Sequence, residues 1–177
     1  MNELKLRGFI MEELISPIQL WNNNLIHKER NESVSIEKVS ENNFEEALAI
    51  ECSIKEFGGE VRKKAFQNEY KSPAFTHYLL RYNGVACSTA SIFEHGKQAR
   101  MESVATLEPF RGKGLIGELI YFIQTEVIYR GLENLWVLPI NEKVEKVYQK
   151  YGFETAQKVI MGHAFLEGKS IKEIQGV

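Results

Sequence analysis

The sequence has 177 residues, 44% of them hydrophobic and 26% charged, with a formal net charge of −2. That length suits one domain with room for a real core, and the near-neutral charge excludes the broad basic surface of a nucleic-acid binder. Every acidic residue is glutamate, which excludes metal sites built on clustered aspartates, and no metal is expected.

The first 31 residues read as an N-terminal appendage to a domain that spans 32–177. Within it, "IMEELISPIQL" suggests a short helix that Pro17 interrupts. Glu3, Glu12 and Glu13 break the apolar core a signal peptide needs, and no run approaches the ~20 apolar residues of a membrane span. A cytoplasmic chain with no membrane partner is therefore expected. "SVSIEKVS" is a short strand with Val34 and Ile36 on one face. Asn42 or Asn43 caps a helix over "NFEEALAIECSIKEFG" that Gly58 ends. "EVRKKAFQNEY" is a second helix. Cys52 and Cys87 belong to no C-x-x-C pair and are read as two buried thiols in a reducing compartment.

"FTHYLLRY", "VACSTASIF" and "ARMESVATL" follow as three strands. Asn83-Gly84 joins the first two, because both central residues of such a hairpin turn need positive φ. Gly96 marks the second turn. From residue 112 the period becomes helical, with Ile116, Leu119, Ile120, Ile123 and Val127 on one stripe. Gly131 closes that helix. "LENLWVLPI" is a dense apolar strand. Asn141 caps "EKVEKVYQKY", which Gly152 ends, and "FETAQKVIMGHAFL" is one strand or two strands turning at Gly162. The fold class is α/β of the α+β type: one domain, with a mixed, mostly antiparallel sheet and helices on both faces.

"RGKGLIG", residues 111–117, sits between the third meander strand and the apolar helix. It is not a triphosphate P-loop, which needs Gly at 107 and Ser or Thr at 114, where Leu and Gly stand. Its G-x-G-x-x-G spacing fits a dinucleotide loop, but "EPFR" separates the glycines from their strand and the strand belongs to an antiparallel meander. A third pattern begins at Arg111. "VATLEPFRGKGLIGELI" resembles the strand-loop-helix segment that holds acetyl-CoA in the GNAT superfamily of N-acetyltransferases. "NEKVEKVYQKYGFE" resembles that family's second signature. The resemblance covers roughly residues 32–169 and departs from the family where Ile116 stands at a position usually Gly or Ala.

The resemblance implies transfer of an acetyl group from acetyl-CoA to a primary amine by direct attack. The alternative is a non-catalytic acyl-CoA sensor of the same fold. The diphosphate of the cofactor is expected on Arg111, Gly112, Lys113, Gly114, Leu115, Ile116 and Gly117, where free helix amides and the dipole favour anions. Its arm is expected along Val104, Ala105 and Thr106, in a gap where that strand parts from the one before the last helix. Tyr148 matches the tyrosine that protonates the leaving thiolate; packing is its bland alternative. Asn141 matches a frequent cofactor contact as well as an N-cap. Glu102 is the candidate base, because strand alternation puts it on one face with Val104 and Thr106. His77 and His95 are read as structural. The partner expected is a small-molecule or peptide amine, with a homodimer through residues 1–31 left open.

Overall fold

The computed structural model describes residues 2–26, 29 and 31–175. The three aromatic and β-branched runs form the meander that the turn signals require: β3 (Phe75–Tyr82), β4 (Val85–His95) and β5 (Gln98–Thr106). Asn83 and Gly84 have φ of 50° and 80° at the first turn. β2 (Val34–Lys38) pairs antiparallel with β3. α2 (Phe44–Ser53) starts after Asn43, and a 3-10 turn at Lys55–Phe57 leads to Gly58 in the left-handed conformation. α3 (Glu60–Lys71) follows.

After β5 come a 3-10 turn (Glu108–Phe110), then α4 (Leu115–Tyr129), β6 (Asn134–Val137), α5 (Glu142–Gln149) and β7 (Phe153–Phe165). β6 is shorter than its apolar run suggests, because the chain leaves the sheet at Leu138-Pro139. β7 is continuous through Gly162, which pairs with Glu13 instead of turning.

The main departure from expectation lies at the N-terminal end. A short helix α1 (Asn2–Leu6) precedes β1 (Ile10–Trp21), a strand and not the helix the sequence suggests. β1 lies inside the sheet, between β6 and β7, so this part of the expected appendage is a structural strand. Ile10, Leu14 and Ile18 have helical spacing, but twelve paired positions with β7 override that local signal. The β6 ladder reaches only Gln19 and Leu20, so Pro17 sits where an amide donor on that side has no partner to serve.

The sheet order is β2-β3-β4-β5-β6-β1-β7. β5 and β6 are parallel, and the other neighbours are antiparallel. One face carries α4 and α5 over a core that includes Tyr78, Leu80, Leu119, Ile123, Leu135 and Phe153. The opposite face carries α2 and α3 over Leu79, Val39 and Phe66. Successive residues of β3 therefore feed opposite cores. A last short helix, α6 (Ile171–Gln175), packs beside the 3-10 turn at Lys55–Phe57.

Candidate active site

β5 and β6 pair from Gln98↔Asn134 to Met101↔Val137, and there the ladder ends. β5 runs on to Thr106 while the chain turns away after Val137. The edge of Glu102–Thr106 that faced β6 is thus left without a strand partner. A bulge widens the opening: Thr89 pairs with Ala105 and Ser91 with Glu102, so Ser103 and Val104 together oppose Ala90. Ser103 takes φ of +50° to make it. The strict alternation expected of Glu102, Val104 and Thr106 is broken there. Glu102, Ser103 and Val104 all line one cavity of about 330 Å³. Phe57 reaches that cavity from the α2/α3 side, while Ile116, Val144 and Tyr148 reach it from the α4/α5 side. The cavity passes through the sheet.

The glycine loop lies at the cavity's α4 end. Gly112 and Gly114 have φ of +79° and +75°, a conformation that costs other residues about 1–2 kcal/mol. A Cβ at either position would meet nothing within 4 Å, so the space beside the loop is open. The α4 ladder begins where Gly117 and Glu118 donate to the Gly114 carbonyl, at 3.0 and 3.3 Å. The amides of Leu115 and Ile116 precede it and have no carbonyl one turn back in the helix. Arg111 Nε donates to the Thr106 carbonyl at 3.1 Å, tying loop to strand. The Lys113 ammonium lies 5.6 Å from the Tyr82 ring centroid. Free amides, the helix dipole and two cations suit a diphosphate, and the open space admits one.

Tyr148 is 5% exposed and packs edge-on against Phe153, centroids 5.4 Å apart. Burial, reinforced by the Glu102 charge, holds its phenol protonated far above the usual tyrosine range. Glu102 is ion-paired with Arg100. Burial raises its carboxyl pKa, and Arg100 pulls against that rise. The Arg100 guanidinium lies 5.4 and 5.1 Å from the Phe93 and Trp136 ring centroids. Behind the bulge, Arg62 donates to Glu51 Oε2 at 2.6 Å and to both Glu69 carboxylate oxygens at 2.7 Å. The same guanidinium donates to Ser103 Oγ at 3.0 Å, which anchors the bulge to α3.

Residues 44–153, more than half of the chain, match the model of the acetyltransferase (GNAT) family. The chain belongs to that family. The GNAT fold is also seen in solved structures of low identity. A GCN5-related N-acetyltransferase from Kribbella flavida superposes with a TM-score of 0.66 at 19% identity, over 94% of this chain and 63% of its own. The aminoglycoside N-acetyltransferase AAC(6')-Iy, solved in complex with CoA, gives 0.62 at 18% identity, over 76% of this chain and 97% of its own. A predicted acetyltransferase from Clostridium acetobutylicum, solved with acetyl-CoA, gives 0.54 at 14% identity, over 70% of this chain and 92% of its own. This chain thus spans less than two thirds of the Kribbella flavida protein. No curated protein matches it.

Within this GNAT domain all the expected site residues but Asn141 fall into three groups. Glu102, Val104, Ile116 and Tyr148 meet around the cavity. Arg111, Gly112, Lys113 and Gly114 are exposed at the α4 mouth. Ala105, Thr106, Leu115 and Gly117 are buried. Ala105 and Thr106 pair with Thr89 and Ser88, and the Thr106 and Ser88 hydroxyls are 2.8 Å apart. Leu115 joins the core. A Cβ on Gly117 would come within 2.0 Å of Tyr151 Oη, so its missing side chain lets Tyr151 pack on α4. Asn141 is an N-cap, its Oδ1 accepting from Val144 N at 2.9 Å.

His77 is buried with both ring nitrogens unpartnered, and burial lowers its pKa to about 4. His95 is exposed at the β4 end. Cys87 is a buried free thiol, whereas Cys52, expected buried, is only half-buried. Sequence reasoning missed Phe57, Ser103 and Leu138 as cavity walls and Arg62 as the anchor of the bulge. A bulge that needs positive φ at a serine leaves no mark in the hydrophobic pattern. Among the described residues, no group of three or more His, Cys or acidic side chains is placed to hold a metal, and no helix is long and apolar enough to cross a membrane.

Proposed function

We propose that this GNAT domain transfers the acetyl group of acetyl-CoA to the primary amine of an acceptor by direct attack. The observation that carries the proposal is the parting of β5 from β6 after Met101 and Val137, which opens a cavity between the head of α4 and Tyr148. The CoA-bound state of AAC(6')-Iy and the acetyl-CoA-bound state of the Clostridium acetobutylicum protein support the choice of cofactor.

When bound, acetyl-CoA supplies an acetyl group activated as a thioester. The Leu115 and Ile116 amides, with Arg111 and Lys113, hold its diphosphate at the helix mouth. The unpaired edge of Glu102–Thr106 offers backbone donors and acceptors to the amide-bearing arm, aligning it in the gap. A backbone N–H on that edge polarises the acetyl carbonyl. Glu102, its pKa raised towards working pH, takes the proton of the incoming ammonium, directly or through water. Tyr148 keeps its proton at neutral pH and gives it to the departing thiolate. Asn141 fixes the first turn of α5 and so the position of Tyr148.

Isothermal titration with acetyl-CoA tests the first part. Heat that saturates at one cofactor per chain is expected; absence of heat at millimolar cofactor sinks the proposal. Release of free thiol above background in the presence of an amine separates an enzyme from a sensor of the same fold.

A further inference from the structure

A second groove, of about 600 Å³, opens beside the cavity and shares Leu138 and Ile140 with it. Leu14, Met161 and Ile171 are among its other apolar walls, contributed by β1, β7 and α6. Among the described residues, charge enters it only as Glu13 and Lys172, which have opposite sign. The volume falls in the range of small-ligand sites. Ile15 and Ile140, at its rim, are 71% and 48% exposed, apolar surface that only an apolar occupant would cover with gain.

The groove follows from the sheet topology. β1 runs antiparallel to β6 but pairs with it only at Gln19 and Leu20. Beyond that point β6 has ended, and the inner edge of β1 lies open along Glu13–Ser16, where the groove runs. α6, which supplies Ile171 and Lys172, packs by the 3-10 turn that carries Phe57, so this wall stands on the α2/α3 side of the sheet. The glycine loop heads α4 on the other side. An acceptor lying here would meet the cavity, whose wall carries Glu102, past Leu138 and Ile140, from the end opposite the diphosphate.

Resting on the acetyltransferase reading, we propose that this groove seats the acceptor and that the acceptor is a primary amine carried on an apolar body. A polycation such as an aminoglycoside needs several carboxylates to offset its desolvation. The groove offers Glu13, and Lys172 cancels its charge. Two sources share the required chemistry: a free alkyl or aryl-alkyl amine, and the amino end of an apolar peptide whose backbone pairs with the open edge of β1.

Thiol release from acetyl-CoA measured with hexylamine, 2-phenylethylamine, an all-leucine tetrapeptide, spermidine and kanamycin tests this. A higher kcat/KM for at least one apolar amine than for either polycation is expected. Preference for the tetrapeptide assigns the peptide source, and preference for the free amines the other. Met161→Glu is expected to raise KM for the preferred acceptor by about tenfold or more, with kcat and acetyl-CoA affinity little changed and Met161→Leu close to wild type. Preference for spermidine or kanamycin overturns the proposal, as does a Met161→Glu enzyme with unaltered KM. Acetyl-CoA binding without turnover on any amine instead defeats the acetyltransferase reading, and this inference with it.

Discussion

Burial in one cavity raises the pKa of both Tyr148 and Glu102. The apolar walls disfavour charge on both, and a carboxylate charge on Glu102 makes ionising Tyr148 harder still. Tyr148→Phe should lower kcat by about a hundredfold or more while calorimetry finds acetyl-CoA affinity nearly intact; full turnover would make Tyr148 a packing residue. The base form of Glu102 is the active one, so activity should fall as pH drops through its raised pKa. That acid limb should lie above the ordinary 4.5 of a glutamate and vanish, with most of the rate, in Glu102→Gln. His77 gives a matching prediction for stability. Its folded-state pKa is lowered from 6.5 to about 4, so the unfolded chain binds more protons between those values. The stability it supports is present above pH 6.5 and is lost as pH falls towards about 4. The loss is up to about 3 kcal/mol. Urea unfolding across that window should show a shallower loss in His77→Phe.

The element that shapes the site is the pair formed by α4 and the α5–β7 turn. Gly117 in α4 leaves room for Tyr151, whose backbone carbonyl also accepts from Gln124 Nε2 at 2.7 Å. Gly117→Ala should therefore destabilise the fold by about 1–3 kcal/mol despite alanine's better helix propensity. Thermal unfolding should show that loss largely relieved when Tyr151 is shortened to Ala in the same chain. The sequence made α4, α5 and the meander legible because glycine punctuation, the Asn141 cap and the 3.6-residue stripe all agreed with the final packing. It hid what depends on partners far along the chain. The role of Gly117 needs Tyr151, the bulge at Ser103 needs Arg62, and the strand at 10–21 needs β7. The candidate site was legible in part: the loop stood out by its glycine spacing and Tyr148 through the family resemblance, whereas Phe57 and Leu138 meet only through the parting of two strands.

At the scale of the molecule, β1 joins two otherwise weakly connected parts of the sheet. It pairs with β7 along its whole length and with β6 at its C-terminal end, and Trp21 is buried there beneath α5 and Phe153. The Trp21 indole donates to the Asn24 carbonyl at 3.3 Å. Trp21→Ala should cost about 3–5 kcal/mol, read as a lower urea midpoint. If the two-state transition instead splits, β1 and β7 unfold as a unit separate from the meander.

The placement of β1 also bears on how the protein is made. The ribosome produces this strand's full-length neighbour, β7, only after about 130 further residues. Until β6 and β7 follow, an apolar segment carrying Ile10, Leu14, Ile15 and Ile18 has no edge to join, while the meander and α4 can already assemble. β1 thus docks late for its place in the chain order, and until then its apolar side chains are open to misassembly.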